Sequence, residues 1–208
     1  MSSFSGFTAA DFDAFLAPGF SDRMEAIKAG PRPKLEALGA ELAPRVSSLL
    51  GRVAYPIVAK HARRKVHPPN DTWVAFSTNP RGYKMLPHFA VGLWAHQAFI
   101  GVGVIYESPL RSPFARNLLA HLPEIRQSVP DDAQWLEDYT KPSGIPQGAM
   151  KPADFERIAD KLQNLRHSDC FVSLYDSREE VIALGPDFAD RAAAAIEALM
   201  PVYRLAGD

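Results

Sequence analysis

The chain has 208 residues, 47% of them hydrophobic and 23% charged, enough for a full core in one domain spanning residues 1–208. A formal net charge of -1 gives no reason to expect DNA or a membrane surface as a partner. The lone cysteine, Cys170, excludes an intramolecular disulfide and any cysteine-based zinc knuckle, which suits a reducing cytoplasmic compartment.

The N-terminal quarter reads as helical. Its first residues, MSSFSGFTAADFDAFL, lack a basic region and carry Asp11 and Asp13 among the apolar side chains, unlike a signal peptide. Thr8 as N-cap with Asp11 three residues on predicts a short helix to Leu16. A second is bounded by Ser21 as cap and Gly30 as stop. A third runs from Pro33, and Pro44 must end or kink it.

The segment that follows is unusual in charge. From Arg52 to Lys84, seven Lys or Arg residues stand against the single acid Asp71, a local +6 that leaves -7 for the rest of the chain. Taken as a helix from Pro56, it puts Tyr55, Val58, Ala59, Ala62 and Val66 on one face. Lys60, His61, Arg63, Arg64, Lys65 and His67 fill the other, and Pro68-Pro69 ends it. The rival reading is a strand, which would align His61, Arg63, Lys65 and His67.

Three antiparallel strands are predicted next: Thr72 to Ser77, Tyr83 to Trp94 and Ala98 to Glu107, joined by the turns STNPRG and AHQ. In the second, Tyr83, Met85, Phe89, Val91 and Leu93 make the core face, and Lys84, Leu86, His88, Gly92 and Trp94 the other. Pro87 predicts a bulge or an edge there. Gly101 and Gly103 mark a place where another group comes close. The apolar run Phe89 to Tyr106 approaches the length of a membrane span, but His96 and Gln97 interrupt it, and its glycines and valines suit two strands about a turn.

Beyond the sheet, SPFARNLLAHLPEIRQSV predicts a helix interrupted near Pro123, AQWLEDY a short strand, and residues 140–152 a long Pro/Gly-rich loop. PADFERIADKLQNLRHS is a helix with Pro152 at its first position and Phe155, Ile158, Ala159, Leu162 and Leu165 inward. CFVSLYD is a strand and PDFADRAAAAIEALMPVYRL a closing helix. The fold class is therefore α+β: a mostly antiparallel sheet, mixed in part, with a three-strand meander and helices at both termini packed on it.

Four of the six histidines, His61, His67, His88 and His96, fall close together. Metal-binding H-x-x-x-H spacing is absent, so no metal site and no cofactor are expected. His88, mid-strand beside Lys84, is the candidate general base, kept neutral by neighbouring cations. Lys60, His61, Arg63, Arg64, Arg81, Tyr83, Lys84 and His88 form the candidate ligand site, with Arg supplying bidentate donors for phosphate or carboxylate and Lys a point charge. The plainer alternative is a solvated basic face. Phosphate-cradling glycine loops and a G-x-S-x-G elbow are both missing. Cys170, just before an apolar run, reads as a buried and inert thiol.

The strings AKHARRKVHPPNDTWVAF, RGYKMLPHFAVGLW, IYESP and DYTKP, with FTAADFDAFL, RMEAIKAGPRPKLEALG, ELAP and LMPVYRL, resemble the YktB-like bacterial family, a domain of unknown function. The resemblance spans nearly the whole chain. It implies a single cytoplasmic α/β-type domain and no established activity, substrate or cofactor. KVHPPND departs from the Thr-Val-Asn expected of the family, which makes His67 a poor candidate for an essential ligand. The expectation is a binding module for an anionic small molecule. Its alternatives are an enzyme using His88 as general base, and an RNA or protein contact surface with Trp73 and Tyr83 as stacking platforms.

Overall fold

Asp11 organises the N-terminus. Its carboxylate accepts from the Thr8 backbone N–H at 2.7 Å and the Thr8 hydroxyl at 2.9 Å, and pairs with Lys34 at 2.5 Å. The capping box opens helix α1 (Ala9–Asp13), which runs into a 3-10 turn, Ala14–Leu16. Helix α2 (Phe20–Ala29) starts one residue before the expected Ser21 cap, because Gly19 at φ 74° turns the chain into it. Helix α3 (Pro31–Leu50) runs through Pro44 without ending, since Leu35, Leu38, Leu42 and Val46 bury one continuous face across it. The computed structural model describes residues 3–62 and 64–207.

The expected basic helix is not formed. Tyr55–Val58 is strand β1, at the edge of the sheet, where Pro56 is tolerated because one side of the strand needs no ladder. Helix α3 sits close on it: a Cβ at Gly39 would stand 2.8 Å from Val74 and 3.0 Å from Pro56. His61 adopts φ 51°, a left-handed conformation that breaks any helix, and residues 64–70 form neither helix nor strand.

The meander follows as expected in β2 (Asp71–Ser77), β3 (His88–Trp94) and β4 (Gln97–Val104). The second strand starts at His88, after Pro87, so Tyr83 to Leu86 form a turn closed by the Leu86 N–H on the Tyr83 carbonyl, and Met85 is exposed rather than in the core. Helices α4 (Arg111–Ala120) and α5 (Leu122–Ser128) divide next to Pro123. Strands β5 (Gln134–Leu136) and β6 (Ile145–Pro146) then bracket residues 137–144, and a 3-10 turn, Gln147–Ala149, gives the expected loop some order.

Helix α6 (Pro152–Asn164) buries Phe155, Ile158, Ala159 and Leu162, while Leu165 lies past its end and is exposed. After β7 (Cys170–Ser177) the closing helix divides into α7 (Arg178–Leu184), α8 (Phe188–Ala198) and α9 (Met200–Arg204), with Gly185 at φ 55° and Pro201 at the breaks.

Among the described residues, seven strands form one sheet in the order β1-β2-β3-β4-β7-β5-β6, and every pair is antiparallel. No mixed pairing occurs. The helices cover one face over a core of Val74, Phe76, Phe89, Val91, Leu93, Ile100, Val102, Val172 and Leu174. The odd-numbered residues Phe89, Val91 and Leu93 of β3 thus face inward, as their alternation requires. The opposite face carries a much smaller apolar cluster, Ala90, Ile105, Leu136 and Phe171, flanked by Trp73, Phe99 and Tyr139. No helix among the described residues is long and apolar enough to cross a membrane.

Candidate functional site

The helix-free face holds a cleft, and glycines make its floor. A Cβ at Gly92 would stand 2.5 Å from the Phe99 ring, and one at Gly101 2.6 Å from the Phe171 ring, so both rings lie down across the sheet only because these positions lack side chains. Trp73, Tyr83, His88, Trp94, Leu136, Tyr139 and Tyr175 stand around them, with Lys141 at the rim, closing on a cavity of about 30 Å³ that reaches about 440 Å³ only when its open mouth is counted. A recess of about 70 Å³ adjoins it through Asp71, Trp73, Trp94 and Tyr139, and Arg64, Asn70 and Thr140 complete its wall.

The polar groups lie at two ends. His88 and Trp94 sit on the same face of β3 six residues apart, which at the rise of a strand is about 20 Å. At one end, His88 is fully covered, and its Nδ1–H donates to the Leu86 carbonyl at 3.0 Å. A carbonyl only accepts, so Nδ1 keeps the proton and Nε2 is left as an acceptor. Burial lowers the His88 pKa to about 4, the Leu86 carbonyl opposing it and Lys84 adding to it. The expected neutrality is present, with burial rather than cations as its main cause. Tyr83 lies over the imidazole at 4.7 Å, and Phe171 at 5.6 Å.

At the other end is Asp71, which is 8% exposed. Its carboxyl meets its own backbone N–H and no other side chain among the described residues. Burial raises its pKa to about 6, with Arg64 pulling it back. His61 flanks this end, its Nε2 3.2 Å from the Thr72 hydroxyl and its ring edge-on to Trp73 at 5.5 Å. Its pKa is lowered to about 4 by burial, then by Arg64 and Arg32. The phenols between the ends are held neutral: burial raises Tyr83 against the Trp73 indole N–H, raises Tyr139 further with Glu107 next in effect, and pushes Tyr175 up to about 12.

Of the residues singled out in the sequence, the cleft thus brings together Tyr83, His88 and, at the recess, Arg64, with His61 leaning on its wall. Others are not there. Lys84 is paired with Glu107 at 2.7 Å. Arg81 is exposed in the turn, its backbone N–H on the Asn79 side chain at 2.9 Å. Lys60 lies along a separate groove with Arg32, Glu36 and Pro56. Arg63 lies outside the described residues. His67 and His96 are exposed. Cys170 is buried, and burial raises its thiol pKa well above the ordinary value, as an inert thiol requires. Among the described residues no three His, Cys, Asp or Glu side chains converge.

Sequence reasoning missed Asp71, Trp94, Phe99, Tyr139, Lys141, Phe171, Ser173 and Tyr175 as lining residues. One signal was available for part of them. Phe171, Ser173 and Tyr175 alternate with the apolar Val172 and Leu174 on β7, which marks a second, non-core face.

A family model described as Domain of unknown function (DUF1054) matches residues 7–203. The chain is 42% identical over 200 residues to UPF0637 proteins of Bacillus cytotoxicus and Bacillus cereus, covering 96% of either chain. A UPF0637 protein of Bacillus mycoides matches to the same extent, 42% over 96% of each chain. In agreement with the resemblance carried by KHARRKVHPPNDTWVAF and its companion strings, the chain belongs to this bacterial DUF1054 family.

Proposed function

We propose that the chain is a binding module whose cleft holds an anionic small molecule, its body against Phe99, Phe171 and Trp73 and its carboxylate or phosphate between Arg64 and Lys141. The observation that carries this reading is the state of the cations. Lys84, which the basic segment also offered, is neutralised by Glu107, whereas neither Arg64 nor Lys141 makes an ion pair with a described residue. One unpaired cation at the rim of the aromatic cleft and one in the adjoining recess suit an amphipathic anion, with the apolar part taking most of the burial and the charged part setting orientation.

The alternatives have less support. A general base at His88 has its free Nε2, but a pKa near 4 makes it weak at neutral pH, and Asp71 is about 20 Å along the strand, too far to orient it. Trp73 and Tyr83 are half-buried in the cleft walls rather than laid out on an exposed strip, which favours a small ligand over an RNA strand or a protein surface. The single buried thiol suits the cytoplasm.

Differential scanning fluorimetry with aromatic and aliphatic carboxylates and phosphates at constant ionic strength tests the reading. A ligand at a hundredfold excess over its dissociation constant stabilises by about 2.7 kcal/mol. At least one anion should do so, and Arg64→Met with Lys141→Met should remove the gain. A shift that survives both substitutions, or none across the series, contradicts it.

A further inference from the structure

Asp71 and Arg64 face the same recess at the end of the aromatic cleft, yet they form no ion pair with each other. Arg64 still acts on Asp71 through space, so the two charges share the recess without pairing. Asp71 is more than nine-tenths buried and, among the described residues, has no partner beyond its own backbone N–H. A carboxylate kept in that position is costly unless something donates to it. A plain anion would satisfy Arg64 and leave Asp71 opposed by like charge.

We infer that the ligand is an α-amino acid or close analogue with an apolar side chain, its ammonium on Asp71, its carboxylate on Arg64, and its side chain running into the cleft over Phe99. This rests on the reading of the cleft as a site for a small organic anion, and narrows it. A zwitterion supplies a donor and an acceptor a few ångströms apart on one carbon, matching an acid and a base that share one recess. Trp73, Trp94 and Tyr139 line that recess, and aromatic rings attract an ammonium group. The side chain then meets Phe99, Phe171 and Tyr175, the apolar stretch between the polar ends.

The test uses the full chain and three sets of probes by calorimetric titration. The sets are L-phenylalanine, L-tryptophan and L-leucine; the same molecules lacking the amino group; and the same molecules lacking the carboxylate. At least one amino acid should bind about ten- to a hundredfold more tightly than both of its truncated forms, the range expected for a charged hydrogen bond. Asp71→Asn should abolish the preference for the amino group and keep that for the carboxylate, and Arg64→Met the reverse. A deaminated acid binding as tightly as its amino acid overturns the inference and leaves the anion reading standing. The inference also falls if no amino acid binds; the anion reading falls with it only if the wider carboxylate and phosphate series is silent too.

Discussion

On the helix-covered side of the sheet, β3 contributes Phe89, Val91 and Leu93, all fully buried. On the other side the same strand contributes His88, Ala90, Gly92 and Trp94. Strand β4 repeats the contrast with Ala98, Ile100 and Val102 against Phe99, Gly101 and Gly103, and β7 with Val172 and Leu174 against Phe171, Ser173 and Tyr175. One face is an ordinary dry core, built for stability. The other has glycines that let the Phe99 and Phe171 rings lie across the sheet, a buried carboxyl with no partner side chain among the described residues, and an imidazole nitrogen without a donor. The last two lower stability, and the proposed ligand site would account for both.

The two faces should therefore respond differently to substitution, most of all where large rings are removed. Phe89→Ala on the core face should destabilise by about 3–5 kcal/mol, as cavity-forming changes do, whereas Phe99→Ala in the half-buried cleft should cost no more than about 2 kcal/mol. Urea unfolding of both variants measures the difference. Equal losses would mean that the two faces are packed alike.

Asp71 gives the next largest effect, with the opposite sign. Its folded pKa of about 6 lies above the ordinary carboxylate value of 3.8, so its contribution to stability is fully present below about pH 4 and is lost as pH rises through 6. At pH 7 the buried charge costs up to about 3 kcal/mol. Asp71→Asn should accordingly stabilise the protein at pH 7 by as much as that, and the gain should vanish at pH 4. Denaturant midpoints at the two pH values decide it; a loss of stability at pH 7 would show that Asp71 has a structural partner.

Gly103 comes third. A Cβ there would stand 2.7 Å from the Phe171 backbone, which cannot swing aside, so Gly103→Ala should cost about 1–3 kcal/mol by thermal unfolding. An unchanged melting temperature would remove the glycine from the cleft floor's design. The smallest effect belongs to the rim: Arg64→Met and Lys141→Met should each shift stability by less than about 0.5 kcal/mol, since both residues are exposed and make no ion pair with a described residue. A larger loss would assign them to the fold and weaken their assignment to a ligand.

The sequence carried the local parts of this arrangement and not the long-range ones. Alternation placed Phe89, Val91 and Leu93 inward, and short turns required the meander, because both signals act within a few residues. The segment from Pro56 misled because its apolar spacing over a single short stretch fits a helical face as well as an irregular path. Nothing in its letters encodes φ 51° at His61. The cleft was half visible: Tyr83, His88 and Arg64 were named, but Phe171 and Tyr175 reach it only because β7 pairs with β4 in the register Gly103↔Phe171 and Phe99↔Tyr175. Pairings between strands so far apart in the chain follow from how whole faces bury one another, and no local spacing reveals them. Asp71 stood out as the one acid of a basic stretch, yet its isolation could be seen only in three dimensions.

The contrast between the faces can be read in a single titration, because the three tryptophans divide between them. Trp73 and Trp94 line the cleft, while Trp135 is buried on the core side, its indole N–H on the Gln147 side-chain oxygen at 2.6 Å. Their indole N–H resonances should be followed by two-dimensional NMR as the strongest-binding anion or amino acid is added. The account predicts that the Trp73 and Trp94 signals move together along one saturating curve while Trp135 stays in place. Saturable binding that leaves Trp73 and Trp94 unmoved, or that moves Trp135 alone, would contradict a ligand site on the helix-free face of the sheet.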